Sequence, residues 1–123
     1  MPASTPGKAL TGTRLTIGLV AWVAPDTAGR IFGLDPGANP QAAYLGRLFA
    51  VRDAALGVGL LATTGDSRRL WWQLGIACDL FDAAAGVLGG RNGSLSKFSA
   101  TSATTVALAA AAMGAAALAA DDT

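Results

Sequence analysis

Neither histidine nor glutamate occurs in this 123-residue chain. Histidine is the commonest metal ligand and the commonest general base near neutral pH, so its absence removes the most frequent routes to metal chemistry and acid–base catalysis. All eight acidic residues are aspartate, and seven of the nine basic residues are arginine. A single cysteine, Cys78, excludes an intramolecular disulfide and any Cys-x-x-Cys redox pair. Charge is scarce: 14% of residues are charged, against roughly 25% in ordinary soluble domains. A net charge of +1 gives no electrostatic case for nucleic acid. Phosphate-binding loops, dinucleotide fingerprints, nucleophile elbows and paired-cysteine metal motifs are missing. The chain therefore reads as a non-enzyme that uses no cofactor and no metal.

What is present is apolar. Hydrophobic residues make up 52% of the chain, and its mean hydropathy is +0.45. The length suits one domain. These features point to an integral membrane protein, with a soluble alanine-rich helical bundle as the competing class. The fold expected is all-α, a four-helix transmembrane bundle with a short interfacial helix after the first span. Spans are expected at about 10–24, 41–64, 70–90 and 98–120, forming one membrane domain over 10–120. A disordered N-terminus (1–9) and a C-terminal tail (121–123) flank it. A helix needs roughly 20 apolar residues to cross a bilayer.

Local signals set these boundaries. Pro25 ends or kinks the first helix. Ala28, Ile31 and Phe32 then share one helical face, as in a helix lying at a membrane surface. The run Asp35-Pro36-Gly37-Ala38-Asn39-Pro40 breaks the chain again. Arg68 and Arg69 precede Trp71 and Trp72, the order expected where headgroups give way to an aromatic belt. Phe98–Ala120 is free of charge over 23 residues. Lys8, Arg14, Arg68 and Arg69 fall on one side of such a bundle and Arg30, Arg91 and Lys97 on the other, which leans toward cytoplasmic termini. Arg14 is expected to reach back to the interface from the end of a short first span.

The chemistry sits in the two central segments. Gly65–Arg69 reads as a short polar turn, so the segments around it run antiparallel. Residues at equal depth then have numbers summing to a constant, near 131 for a turn centred on Gly65-Asp66. That register pairs Arg52 with Asp79 and, within two residues, Arg47 with Asp82, leaving Asp53 over. Arg47, Arg52, Asp53, Asp79 and Asp82 thus form one expected intramembrane charge cluster. An ionised group at mid-bilayer costs roughly 2.5–3.5 kcal/mol, so it needs a partner or water. Gly46, Ala50 and Gly57 share a stripe with Asp53, and Gly75 and Gly86 share one with Asp79 and Asp82. Small residues let helices approach closely, so both stripes are read as facing inward. In one reading these charges lock helix register. In the other they form a site for an ion, a proton, a quinone, a lipid or another small ligand at Asp53 and Asp79, with Tyr44 one turn from Arg47. Asp53 is the best single candidate. Cys78 is read as a small inert hydrophobe.

Taken together, Pro25, Phe32-Gly33-Leu34, Gly46-Arg47, Arg52-Asp53, Leu56-Gly57, Asp79 and Asp82 resemble the small four-helix bacterial membrane proteins of unknown function near the DoxX-like group. The likeness spans about Leu10 to Leu118. It implies a four-span bundle without an agreed activity. Some DoxX-like proteins are linked to thiol or quinone redox complexes; with Cys78 alone, a thiol role does not carry over. The function expected is that of a structural or accessory membrane subunit. Its partners would be membrane lipid and either further copies of itself or a larger membrane complex. The alternative is a transporter or ligand-binding membrane protein using the mid-membrane aspartates. That alternative requires a cavity at the depth of the charges; a solidly packed core there counts against it.

Overall fold

A computed structural model describes residues 2–121 as five helices: α1 (Thr5–Val23), α2 (Pro25–Ile31), α3 (Ala42–Ala62), α4 (Gly65–Asn92) and α5 (Lys97–Asp121). Residues 5–9, expected to be disordered, form the first turns of α1. Ser4 caps that helix, its hydroxyl accepting from the Gly7 N–H at 3.1 Å, and a proline stands in the first turn, where its missing N–H has no intrahelical partner to lose. At the other end α5 runs on to Asp121, and the remainder of the expected tail, 122–123, lies outside the described residues.

Proline and glycine place most of the breaks. Pro25 opens α2 directly after α1, and Gly33, at φ +79°, turns the chain out of it. Gly93, at φ +80°, ends α4 in the left-handed conformation that a side chain disfavours. Ser96 caps α5 by accepting from the Ser99 N–H at 3.1 Å. The polar stretch 65–69 is not a loop, however. It forms the first turn of α4, and the connection to α3 shrinks to Thr63 and Thr64.

The helices assemble as two pairs. α1 packs along α3, α4 packs along α5, and contacts between α3 and α4 are fewer. The central hairpin is therefore not the main packing unit. Gly18 lets α1 close on α3: a Cβ there would lie 3.0 Å from the Ala50 carbonyl and from Ala54. The apolar core is small, with Leu10, Leu60, Trp72 and Ala117 buried together and Trp71, Met113 and Leu118 packed against them. Trp72 is thus a core residue, not a member of an interfacial belt. Its indole N–H donates to Asp121 Oδ2 at 2.6 Å.

The four-helix transmembrane bundle expected from composition is not supported. Among the described residues, α5 alone is long and apolar enough to cross a membrane. Glycine interrupts the apolar stretches of α1, α3 and α4 and adds no hydropathy. Those helices also carry charge in their middles: Arg14 in α1, Arg52 and Asp53 in α3, Asp79 and Asp82 in α4. The exterior is nonetheless apolar in many places, with Leu19, Val23, Ile31, Leu45, Phe81 and Leu88 each more than 60% exposed.

Candidate functional site

Three helices bring five charges together beside a cavity. Arg14 of α1, Asp53 of α3 and Asp79 of α4 are each less than 5% exposed. Arg14 Nη2 donates to Asp79 Oδ2 at 2.6 Å and Nη1 to Oδ1 at 3.3 Å, a bidentate pair matched to the carboxylate plane. Arg14 Nη1 also reaches Asp53 Oδ1, at a longer 3.5 Å. Burial makes this geometry matter, because a charge taken out of water must be paired to be tolerated.

Gly75 makes the room. A Cβ on it would stand 2.8 Å from Arg14 Nη2. The small residue one turn before Asp79 therefore accommodates an arginine head, where the sequence pattern pointed to close helix approach. α1 and α4 do not pack along each other, so the Arg14 side chain bridges a gap between the two helix pairs.

A second bidentate pair lies nearer solvent. Arg52 Nη1 donates to Asp82 Oδ1 at 2.9 Å and Nη2 to Oδ2 at 2.6 Å, with both side chains about one third exposed. The Arg52 guanidinium lies 4.6 Å from the centre of the Phe49 ring, a cation–π distance. Its Nε is buried without a hydrogen-bond partner. Arg52 Nη2 approaches Asp53 Oδ1 at 3.8 Å.

Asp53 is thus the odd member. Both arginines are committed at short range to Asp79 and Asp82, and Asp53 receives only their long contacts. Two cations face three carboxylates, and the cluster carries one negative charge in surplus.

The cavity has a volume of about 520 Å³, within the roughly 300–1,000 Å³ range of small-molecule sites. Arg14, Asp53, Asp79, Arg52 and Asp82 line part of it. The rest of the wall is largely apolar, with Leu10, Ile17, Phe49, Val106, Ala110 and Met113 among its residues.

Of the residues singled out by sequence, Arg52, Asp53, Asp79 and Asp82 come together, with the pairing exchanged. Arg52 binds Asp82, and Asp79 belongs to Arg14. Arg47 does not join; its Nε donates to the Trp22 carbonyl at 3.1 Å on the exposed side of the molecule. Tyr44 is 65% exposed and is not part of the cavity wall. Arg14 is the member that sequence reasoning missed. Once α1 starts at its Ser4 cap, Arg14 is the middle residue of the helix, and that capping pattern was the available signal. Cys78 is a free, partly buried thiol. Among the described residues, no group of three or more His, Cys, Asp or Glu side chains is arranged to hold a metal ion.

Compared with known proteins, the chain matches no family model, no curated protein and no solved structure. The resemblance to the DoxX-like group is therefore without support from a family model.

Proposed function

We propose that this protein binds one small amphipathic molecule in the interhelical cavity, with the apolar body along α1 and α5 and the polar end at the buried charges. The observation that carries this reading is the juxtaposition of a 520 Å³ apolar space with a charge network that is not internally balanced. A network serving only to fix helix register would gain nothing from an open space against it. Binding sites of this kind combine apolar walls with a few converging polar groups. No reaction is assigned.

We further propose that the protein works in contact with lipid. Only 22% of the apolar window of α5 is buried by the rest of the chain, unlike the core helix of a soluble protein. Large exposed side chains on α1, α3 and α4 continue that apolar exterior. Recovery in the membrane fraction, released by detergent and not by high salt or carbonate, is the expected result of cell fractionation.

The binding reading is tested by filling the cavity. Ala103 lines it and is only partly buried by other side chains. Ala103→Leu should leave helical content and melting temperature close to the parent while weakening uptake of octanol, measured by titration calorimetry against an empty-micelle blank. Equal uptake by parent and variant would place the bound molecule elsewhere. A second reading, a structural or accessory subunit, rests on a different observation: the two bidentate pairs tie α1 to α4 and α3 to α4. It expects no saturable uptake by the parent protein.

A further inference from the structure

We infer that the cavity selects a molecule whose polar end is a primary ammonium, in preference to a neutral or an acidic one. The inference rests on the reading of the cavity as a binding site and adds the chemistry of the head group. Four of the five charges are paired in two bidentate contacts, each with a 2.6 Å distance. Asp53 is left with contacts of 3.5 and 3.8 Å, both to Oδ1, and no hydrogen bond reaches Oδ2 among the described residues. It is 3% exposed and lines the cavity. A buried carboxylate with an open acceptor calls for a donor, and the surplus negative charge calls for a positive one.

A primary ammonium supplies both. Its three N–H groups can reach an acceptor from several directions, and one positive charge brings the cluster to neutrality. A hydroxyl head would donate a hydrogen bond but leave the charge in place. A carboxylate head would bring a fourth negative charge beside two arginines whose Nη atoms are already paired, with only the buried Arg52 Nε left to donate. The largely apolar remainder of the wall accepts an alkyl or aryl body.

The test uses three probes with one tail: octylammonium, octanol and octanoate, titrated calorimetrically into the purified full chain with empty-micelle blanks. The expected order is octylammonium tightest, by roughly tenfold or more over octanol, since both heads donate to Asp53 but only the ammonium also neutralises the surplus charge. Octanoate should be weakest. Asp53→Asn removes the surplus charge at nearly constant shape. It should abolish the preference for octylammonium, and a helical content and melting temperature close to the parent's show that the variant is folded. Octanol or octanoate binding the parent as tightly as octylammonium would overturn the head-group assignment and leave the cavity reading intact. Uptake of none of the three would overturn the cavity reading itself. A preference that survives in Asp53→Asn would remove Asp53 from the site. Should that variant fail to fold, the ranking on the parent protein decides the matter alone.

Discussion

Replacing Arg14 by alanine removes the cation that Asp79 holds through two hydrogen bonds and that Asp53 meets at 3.5 Å. Both carboxylates are less than 5% exposed, so water does not replace the lost guanidinium without opening the bundle. Breaking a buried ion pair by deleting one partner costs about 3–5 kcal/mol. Here two carboxylates lose the same cation, so the upper part of that range applies, about 4–5 kcal/mol. A destabilisation of 1 kcal/mol lowers the melting temperature of a domain of this size by roughly 3–6 °C. The expected loss is therefore about 15–25 °C, read by circular dichroism on detergent-purified protein. The matching change on the other pair, Arg52→Ala, should cost less. Arg52 and Asp82 are each about one third exposed, and solvent screens what remains. An Arg14→Met, Asp79→Leu double variant should recover much of the loss, because apolar replacement of a whole buried pair is often neutral. An Arg14→Ala protein that melts within a few degrees of the parent, or above Arg52→Ala, would falsify the assignment of Arg14 as the central cation.

Two further substitutions probe the surroundings. Gly75→Ala places a methyl group 2.8 Å from Arg14 Nη2. That atom ends a flexible side chain and can shift, and alanine's helix propensity offsets part of the cost, so a loss of about 1 kcal/mol or less is expected; a loss above about 3 kcal/mol would mean that the guanidinium cannot move. Arg47→Ala should change stability by less than about 0.5 kcal/mol, as expected for an exposed side chain outside the network; a collapse of the fold would instead restore the antiparallel register in which Arg47 pairs with Asp82.

The helical content and most chain breaks were legible in the sequence, because Pro25, the run from Asp35 to Pro40 and Gly93 act through local backbone geometry. Four members of the charge cluster were legible for a different reason. Arg52, Asp53, Asp79 and Asp82 fall in the middles of apolar helices, where an ionised group must find a partner. Which arginine meets which aspartate was not legible. An arginine side chain reaches about one helical turn along the axis, so matching positions on two helices do not fix the pairing. The register argument also assumed that α3 and α4 are the closest neighbours, whereas each packs mainly on another helix. Arg14 was hidden by the starting point of α1, which one serine hydroxyl moves five residues upstream of the expected boundary. The number of membrane spans was over-read because length was weighed above the charges and glycines that interrupt α1, α3 and α4; α5, free of charge over most of its length, is the helix that meets the test.

The hydrogen bond between Trp72 and Asp121 has a mechanical consequence. It fastens the far end of α5 to the start of α4, while the turn at Gly93 joins their other ends. That pair is a closed loop, stiff against splaying. α1 and α3 form the other rigid arm, drawn together at Gly18. Opening the space between the arms then means rotating one arm as a body about the other. The Arg14–Asp79 and Arg52–Asp82 contacts both cross between the arms, so a guest seated at Asp53 would lie beside the fastenings that must yield for it to leave.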